Sequence, residues 1–400
     1  MKLNSERKAD LDQGFATRFG TSPERYFSAP GRTEIGGNHT DHQHGCVLAG
    51  AVNLDTVAAV RLNGTDSIRI QSEGYPLCTV SLTELKPQAA EINTTAALIR
   101  GVAARFAELG AELQGFDAYV QSTVLPGSGL SSSAAFEVLL GTICNSLFFD
   151  NKLPMPEIAK IGQYAENFYF DKPCGLMDQM ASAVGNLVSI DFNDPENPII
   201  TPVDFDFSQS GHALCIIDSK ASHADLTDEY AAVPKDMKAI AGHFGQTALR
   251  DVPEETFYKN ISTLRQLYGD RPVLRAIHFY EDNRRVGEQV KALQNNDFDT
   301  FLQLVRQSGQ SSWMYLQNVV PAGYIAHQDM AIALAVCHKL LGERGAYRVH
   351  GGGFAGTVQA FVPDDMLDTF RVGIDAVLGQ GACHVLSIRP YGGVELEVAK

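Results

Sequence analysis

The sequence lacks the paired cysteines that build zinc sites and disulfide frameworks. Its seven cysteines include no CxxC pair and are scattered along the chain: Cys46, Cys78, Cys144, Cys174, Cys215, Cys337 and Cys383. An odd count without recognisable spacing indicates neither a metal site nor a set of disulfides. Free thiols persist in reducing compartments, so we expect a cytoplasmic protein.

The sequence also lacks positive charge and long apolar runs. Lys and Arg number 32 against 47 Asp and Glu, a formal net charge of −15, which gives no general attraction to nucleic acid or to anionic membranes. No uninterrupted apolar run reaches the ~18 residues of a membrane span, and the N-terminus is too polar for a signal peptide. We therefore expect a soluble protein that binds any anionic ligand through a local arrangement of groups.

What is present is a globular composition on a chain too long for one core. The 400 residues are 44% hydrophobic and 20% charged, which excludes a disordered protein and predicts two domains. Strand-like stretches at 56–62 and 117–125 alternate with helical patterns, such as the apolar spacing around 330–341, and predict a mixed α and β fold. Three prolines in 193–202 mark the predicted boundary, between domains 1–204 and 205–400.

A loop rich in glycine and serine stands between a strand-like run and an apolar helical pattern, within 125–149. Glycines let the backbone approach a polyphosphate, and the helix N-terminus adds positive potential, so the segment predicts an anion site. It is not a Walker A loop, because no GK[ST] follows, and Ser132 replaces the third glycine of GxGxxG. The alternative is a flexible turn capped by serines.

A second segment, 29–45, crowds polar side chains between glycines. Arg32, Asn38, His39, Asp41 and His42 alternate donors and acceptors, which suits a polyhydroxylated ligand such as a sugar. A metal site is a rival interpretation, because imidazoles and a carboxylate lie at short spacing. The third interpretation is a solvated polar loop without a ligand.

A third segment, 347–363, satisfies GxGxxG through Gly351, Gly353 and Gly356. A dinucleotide site needs a helix after the glycines, whereas the residues that follow alternate, are β-branched and end at Pro363. The pattern predicts two strands joined by a glycine turn. Such a turn could serve only close backbone packing.

In chain order, segments 29–45, 125–149 and 347–363 resemble the three signature motifs of the GHMP small-molecule kinases. Segment 29–45 resembles the galactokinase signature GRxNxIGEHTDY. Further matches are CGLMDQM at 174–180 to CGIMDQF, HADLTDEY at 223–230 to HSLASSEY, and RAIHFYEDNRRV at 275–286 to RARHVVxExxRV. The resemblance implies an α+β fold with two domains, a ribosomal-protein S5 domain 2-like N-terminal domain and a ferredoxin-like C-terminal domain. It also implies that ATP and a sugar meet in the cleft between them.

The resemblance assigns roles to matching residues. Asp178 takes the place of the catalytic aspartate and Arg32 that of the arginine that pairs with it, while Ser133 and Glu166 match the residues that hold magnesium. The implied sugar contacts are Asn38, His39, Thr40, Asp41, Gly175 and Tyr230. The implied triphosphate contacts are Gly127, Ser128, Gly129, Leu130, Ser131, Ser132 and Ser133.

Several positions depart from the galactokinase pattern. The family's glutamate is here Asn38, its tyrosine is His42, and its asparagine after the arginine is Glu34. An amide at position 38 removes a repulsion against a 6-carboxylate and keeps a hydrogen bond to a 6-hydroxyl possible. Thr95 stands where galactokinases carry an aromatic residue near the adenine, and Ala355 interrupts the third motif.

The sequence therefore predicts a monomeric, ATP- and magnesium-dependent kinase of the anomeric hydroxyl of a hexose, converting galactose to galactose 1-phosphate. Asp178 would accept the hydroxyl proton or only orient the hydroxyl. Rival substrates are galacturonate and arabinose. A further rival is a non-catalytic sugar sensor, because the family contains galactose-responsive regulators. Those regulators have lost the Ser-Ala pair of the phosphate motif, which this chain retains as Ser133 and Ala134.

Overall fold

The computed structural model describes residues 3–124, 129–172, 174–221 and 226–397. Within these ranges the strands form two sheets of eight and four strands. The first sheet comprises β1 (Arg25–Gly36), β2 (Cys46–Leu62), β3 (Ser67–Ser72), β4 (Cys78–Ser81), β5 (Phe116–Ser122), β6 (Leu187–Asp191), β7 (Ile199–Val203) and β12 (Val394–Glu395). The second comprises β8 (His212–Asp218), β9 (Ala346–His350), β10 (Thr357–Pro363) and β11 (Cys383–Leu386).

Helices surround both sheets. Those of the first half are α1 (Ser5–Phe19), α2 (Thr95–Glu108), α3 (Ser132–Phe148), α4 (Met155–Phe168) and α5 (Met177–Val184). Those of the second are α6 (Thr227–His243), α7 (Glu254–Lys259), α8 (Ile261–Tyr268), α9 (Asp270–Gln294), α10 (Phe298–Ser311), α11 (Asp329–Leu341) and α12 (Leu367–Leu378). Among the described helices, none is both long enough and apolar enough to span a bilayer.

The long strand β2 organises the first sheet. It pairs along one edge with β1, and its other edge is shared between β5 and β6. The pairing of β1 with β2 shifts register between Pro30 and Arg32 and again between Glu34 and Gly36. Such irregularities change the direction of the side chains beside them. They lie on the segment whose polar residues the sequence singles out.

The second sheet is buried on both faces, which explains its apolar strands. In β8, Leu214 and Ile216 pack towards a core shared with α10, whereas Cys215 and Ile217 pack towards α11 and α12. The predicted helix around 330–341 is confirmed as α11, with Met330 buried at its start. The predicted pair of strands at 347–363 is confirmed by the antiparallel register of β9 and β10.

The chain crosses between the two halves near the predicted boundary and returns at its end. Strand β7 belongs to the first sheet and β8 to the second, so the crossing falls between Val203 and His212. The short strand β12 pairs with β1, with Phe27 opposite Glu395. The assignment of domains to 1–204 and 205–400 stays a prediction, and 394–395 lie in the first sheet.

Candidate active site

A bidentate ion pair joins β1 to the start of α5. Arg32 donates from Nε to Asp178 Oδ1 at 2.7 Å and from Nη2 to Oδ2 at 2.6 Å. The Arg32 side chain is 8% exposed and that of Asp178 is 29% exposed, so the carboxylate keeps one open side. The structure thus brings together two residues that lie 146 positions apart in the sequence.

Both members of this pair are bonded to the predicted phosphate loop. Arg32 Nη1 donates to the Gly129 carbonyl, the Arg32 backbone amide donates to the Leu130 carbonyl at 3.0 Å, and the Ser131 hydroxyl donates to Asp178. Burial alone would raise the pKa of the Asp178 carboxyl, but the charge and hydrogen bonds of Arg32, together with Ser131, outweigh burial and lower that pKa. Asp178 is therefore an ionised acceptor.

The loop enters α3 through a left-handed backbone. Gly129 has φ of 70°, and a Cβ added there would lie 3.0 Å from His350 Nδ1, so only glycine fits without strain. Helix α3 then begins at Ser132, with Ser131 also at positive φ. Its free amides and dipole favour an anion at this end. Gly127 and Ser128, also assigned to the triphosphate, lie outside the described residues.

A buried carboxylate lies beside the first turn of α3. Glu166, near the end of α4, accepts from Ser133 Oγ at 3.2 Å and from Lys172 Nζ at 2.8 Å, both on Oε1. Its Oε2 accepts from Gln179 Nε2 at 2.8 Å. The same Gln179 nitrogen donates to Glu137 at 2.9 Å. Burial, and next the Glu166 charge, raise the pKa of Glu137 well above its usual range.

The chemistry of these groups fits a hard divalent cation. A hydroxyl and a carboxylate oxygen, from Ser133 and Glu166, face each other beside the phosphate loop. Magnesium uses few protein ligands when phosphates and water complete its shell. The described residues contain no cluster of three or more His, Cys, Asp or Glu side chains suited to a metal, so water or phosphate oxygens would supply the remaining ligands of a cation here.

A cavity of about 620 Å³ leads away from the start of α3. Polar Ser132 and Ser133 line one part of it, and its lining is otherwise largely apolar: Ile70, Tyr75, Pro76, Leu77, Leu98, Val120, Val124 and Phe136. Thr95, at the position where the family's aromatic is missing, is also part of the wall. An apolar compartment beside an anion site suits a nucleotide, with its base inside and its phosphates at the loop.

Several predicted sugar residues lie outside the lining of this cavity and contact one another or the glycine turn at 351–353. A Cβ at Gly175 would lie 2.6 Å from Asp41 Oδ2, so this glycine lets the carboxylate approach. His39 faces the Gly352 carbonyl through Nε2 at 3.0 Å, and its Nδ1 is buried without a hydrogen-bond partner among the described residues. Tyr230 donates to the Gly353 carbonyl at 2.9 Å.

His39 is held neutral. Burial, followed by the neighbouring His42 charge, lowers the pKa of His39 to about 3. Because Nε2 faces a carbonyl oxygen, the hydrogen-bond network assigns the proton to Nε2 and leaves Nδ1 as an acceptor. Tyr230 likewise stays neutral, since burial raises its pKa to about 12. These residues offer neutral polar groups of the kind that hydroxyl ligands need.

Asn38 is enclosed by protein groups. Its Nδ2 donates to Glu34 Oε1 at 3.1 Å and to the Gly351 carbonyl at 2.6 Å. Its Oδ1 accepts from Ser312 at 3.2 Å and from Asn318 at 2.9 Å, and its side chain is buried. All the usual hydrogen-bonding positions of the amide are therefore occupied. The assignment of Asn38 to the sugar stays a prediction, but these contacts support a structural role.

Glu34 completes this polar cluster. Arg348 Nη2 also donates to Glu34 Oε1, and Arg348 is 0% exposed. Burial raises the pKa of Glu34 to about 7, although the Arg348 charge opposes the shift. Thr40 has a comparable internal role, because its hydroxyl contacts the carbonyls of Gly37 at 2.9 Å and Cys46 at 2.6 Å.

Sequence reasoning missed the residues that hold these groups in place. His278 bonds the Asn38 carbonyl at 2.9 Å, and Asp282 accepts from the Asn38 amide at 2.8 Å. Both lie on α9, four residues apart and therefore on one helix face, a spacing visible in the sequence. Gln179 bonds Glu137 and Glu166, which lie 42 and 13 positions away, so no local spacing in the sequence marks these contacts.

The sequence and the fold were compared with known protein families and solved structures. Residues 13–62 match the model of the galactokinase galactose-binding signature, and residues 97–186 match the GHMP kinases N terminal domain. The crystal structure of Lactococcus lactis galactokinase complexed with galactose superposes with a TM-score of 0.83 at 24% identity, covering 97% of this chain and 99% of that one. Methanococcus jannaschii mevalonate kinase gives a TM-score of 0.65 at 13% identity, covering 92% and 98%. The α+β fold is that of the GHMP kinases.

Sequence relatives show which family of GHMP kinases the chain belongs to. The galactokinase of Glaesserella parasuis serovar 5 is 33% identical over 376 residues, which cover 89% of this chain and 90% of the relative. That of Haemophilus influenzae (strain ATCC 51907 / DSM 11121 / KW20 / Rd) is 34% identical over 365 residues, covering 87% and 88%. The chain belongs to the galactokinase family.

Proposed function

We propose that this chain transfers the terminal phosphoryl group of ATP to the anomeric hydroxyl of galactose, giving galactose 1-phosphate. The observation that carries the proposal is the bonding of Arg32 and Asp178 to the phosphate loop, through Gly129 and Ser131. A hydroxyl held by Asp178 would lie next to a phosphate held by the loop. Phosphoryl transfer requires this kind of positioning more than covalent catalysis.

The roles of the protein groups follow from their charges. Arg32 keeps Asp178 ionised, so the carboxylate accepts a hydrogen bond from the anomeric hydroxyl. Because the pKa of Asp178 is lowered, it is a weak base in the resting enzyme. It takes the proton as the new P–O bond forms and the hydroxyl becomes more acidic. In this proposal orientation comes first and proton transfer late.

Ser133 and Glu166 would hold magnesium against the phosphates. Magnesium supplies positive charge that stabilises the phosphates during transfer. The first turn of α3 would bind phosphate oxygens through its amides, and the 620 Å³ cavity would take the adenosine. We assign the sugar to Asp41, Gly175, His39 and Tyr230, none of which lines that cavity.

We further propose that the protein acts as a monomer in the cytoplasm. All seven cysteines are free, which suits a reducing compartment.

Release of ADP by the purified protein tests the proposed function. With ATP and magnesium, galactose should stimulate ADP release strongly over a sample without sugar. Galacturonate and arabinose in parallel test the rival substrates. The Asp178→Asn variant provides the control for contaminating kinases. Galactose binding without stimulated ADP release would instead support the non-catalytic sensor.

A further inference from the structure

Lys172 closes the accessible side of the buried Glu166 carboxylate. Its Nζ lies 2.8 Å from Glu166 Oε1, the oxygen that also accepts from Ser133. The Glu166 side chain is 3% exposed, whereas that of Lys172 is 56% exposed. Gln179 occupies the other oxygen, Oε2. The ammonium therefore sits on the oxygen that a cation between Ser133 and Glu166 would use.

The backbone tethers this lysine while its side chain stays free to turn. The Lys172 amide donates to the Glu166 carbonyl at 3.1 Å, in the segment between α4 and α5. Four methylenes separate this anchor from the ammonium, and over half of the side chain faces solvent. Arg32 differs, because it is bidentate and almost entirely buried. A compact charge on a flexible stem is suited to exchange between partners.

The charges around Glu166 indicate what the Lys172 ammonium does when a cation binds. Lys172 pairs with Glu166 at 2.8 Å and also interacts electrostatically with Asp178, so its charge acts on both carboxylates. Without a metal, Lys172 balances Glu166 as Arg32 balances Asp178. A divalent cation on Glu166 would displace the ammonium by repulsion. Nucleotide phosphates bound beside Ser133 would then offer the displaced ammonium a new partner, because Asp178 is already paired with Arg32.

We propose that Lys172 exchanges with the divalent cation: its ammonium neutralises Glu166 in the metal-free protein and binds a nucleotide phosphate once the cation occupies Glu166. This inference rests on the metal site of the proposed function. It makes Lys172 an additional phosphate-binding residue, whose displacement couples metal binding to nucleotide binding.

The exchange predicts opposite effects on two affinities. In Lys172→Met, the competitor for Glu166 is gone, so titration calorimetry without nucleotide should show Mn²⁺ binding tightened about threefold or more, the scale of a partly exposed ion pair. Binding of a non-hydrolysable ATP analogue with magnesium should weaken about tenfold, because a charge-assisted phosphate contact is lost. Lys172→Arg should keep both affinities closer to wild type than Lys172→Met does.

Two controls make the experiment decisive. Lys160→Met removes a surface pair with Glu157 on α4 and should leave both affinities unchanged, and galactose binding by each variant checks the fold. Unchanged or weakened Mn²⁺ binding in Lys172→Met, or unchanged analogue binding, would overturn the exchange. Glu166→Gln separates the causes: if it weakens Mn²⁺ binding while Lys172→Met has no effect, only the exchange fails. If Glu166→Gln binds Mn²⁺ normally, the proposed metal site fails as well.

Discussion

Replacing Asn38 with glutamate, the residue that galactokinases carry there, should destabilise this protein. The amide nitrogen of Asn38 donates to Glu34 Oε1 at 3.1 Å and to the Gly351 carbonyl at 2.6 Å. A carboxylate would present oxygens to both acceptors. At 3.1 Å the two carboxylates would repel by about 5 kcal/mol at an effective dielectric constant of about 20. One carboxyl can escape by binding a proton, so we expect a net loss of about 3 kcal/mol in the free energy of unfolding at pH 8.

The single substitution Glu34→Asn should also destabilise the protein. Glu34→Asn leaves Arg348, which is 0% exposed, without its carboxylate, a loss of about 3–5 kcal/mol for a broken buried pair. In the double variant Asn38→Glu with Glu34→Asn, the carboxylate and the amide exchange places. The new glutamate can then pair with Arg348, and the asparagine can donate to it. The double variant should therefore lose at least about 2 kcal/mol less than the sum of the singles.

Urea unfolding of the four proteins measures this cycle. At pH 6 the loss in Asn38→Glu should be smaller than at pH 8, because one of the facing carboxyls takes up a proton. Galactose and galacturonate kinetics of the same variants report whether position 38 also faces the sugar. Stability of Asn38→Glu within about 0.5 kcal/mol of wild type, the range of surface substitutions, would refute the enclosed position of Asn38. If the double variant loses as much free energy of unfolding as the two single variants together, the coupling between positions 38 and 34 is refuted.

Further predictions concern the catalytic groups, the nucleotide cavity and pH. Asp178→Asn should lower kcat about 10²- to 10⁴-fold with galactose binding retained, measured by ADP release and calorimetry, and a near-normal kcat would remove its catalytic role. Ser133→Ala and Glu166→Gln should each raise the magnesium concentration needed for half-maximal rate, and an unaltered magnesium titration would exclude them as ligands. Tyr75→Ala should raise the KM for ATP about fivefold without altering that for galactose, on the scale of aromatic–base stacking, and an equal KM for ATP would place the base elsewhere. Because burial depresses the pKa of His39 from 6.5 to about 3, its contribution to stability is lost as pH falls. Between pH 6.5 and 5 the free energy of unfolding of wild type should fall by about 2 kcal/mol because of this residue, and that of His39→Asn should fall less. Parallel pH profiles of unfolding free energy for the two proteins would contradict the lowered pKa of His39.

Local patterns predicted the elements that are governed by local rules. The apolar spacing of α11 was sufficient, because burial of one helix face leaves its period in the sequence. Strand β10 is buried along its whole length, so its β-branched residues and its end at Pro363 identified it. Strand β12 left no such trace. It has two residues, and its place beside β1 is set by contacts between the ends of the chain.

The site was predictable where family motifs supply the long-range information. No spacing rule joins Arg32 to Asp178, and the pairing followed from matching both segments to one family. The environment of Asn38 was not predictable in this way. Its partners come from Glu34, from Ser312 and Asn318 after α10, and from Asp282 on α9, so its enclosure depends on packing between distant segments.

The position of the phosphate on the product tests whether the chain phosphorylates the anomeric hydroxyl. One galactose 1-phosphate should form for each ADP released, and NMR spectra should show coupling between phosphorus and the anomeric proton. Wild type and Asp178→Asn should differ in the amount of this product and in nothing else about its structure. A phosphate on another carbon, or ADP release without any sugar phosphate, would contradict the placement of the anomeric hydroxyl between Asp178 and the phosphate loop.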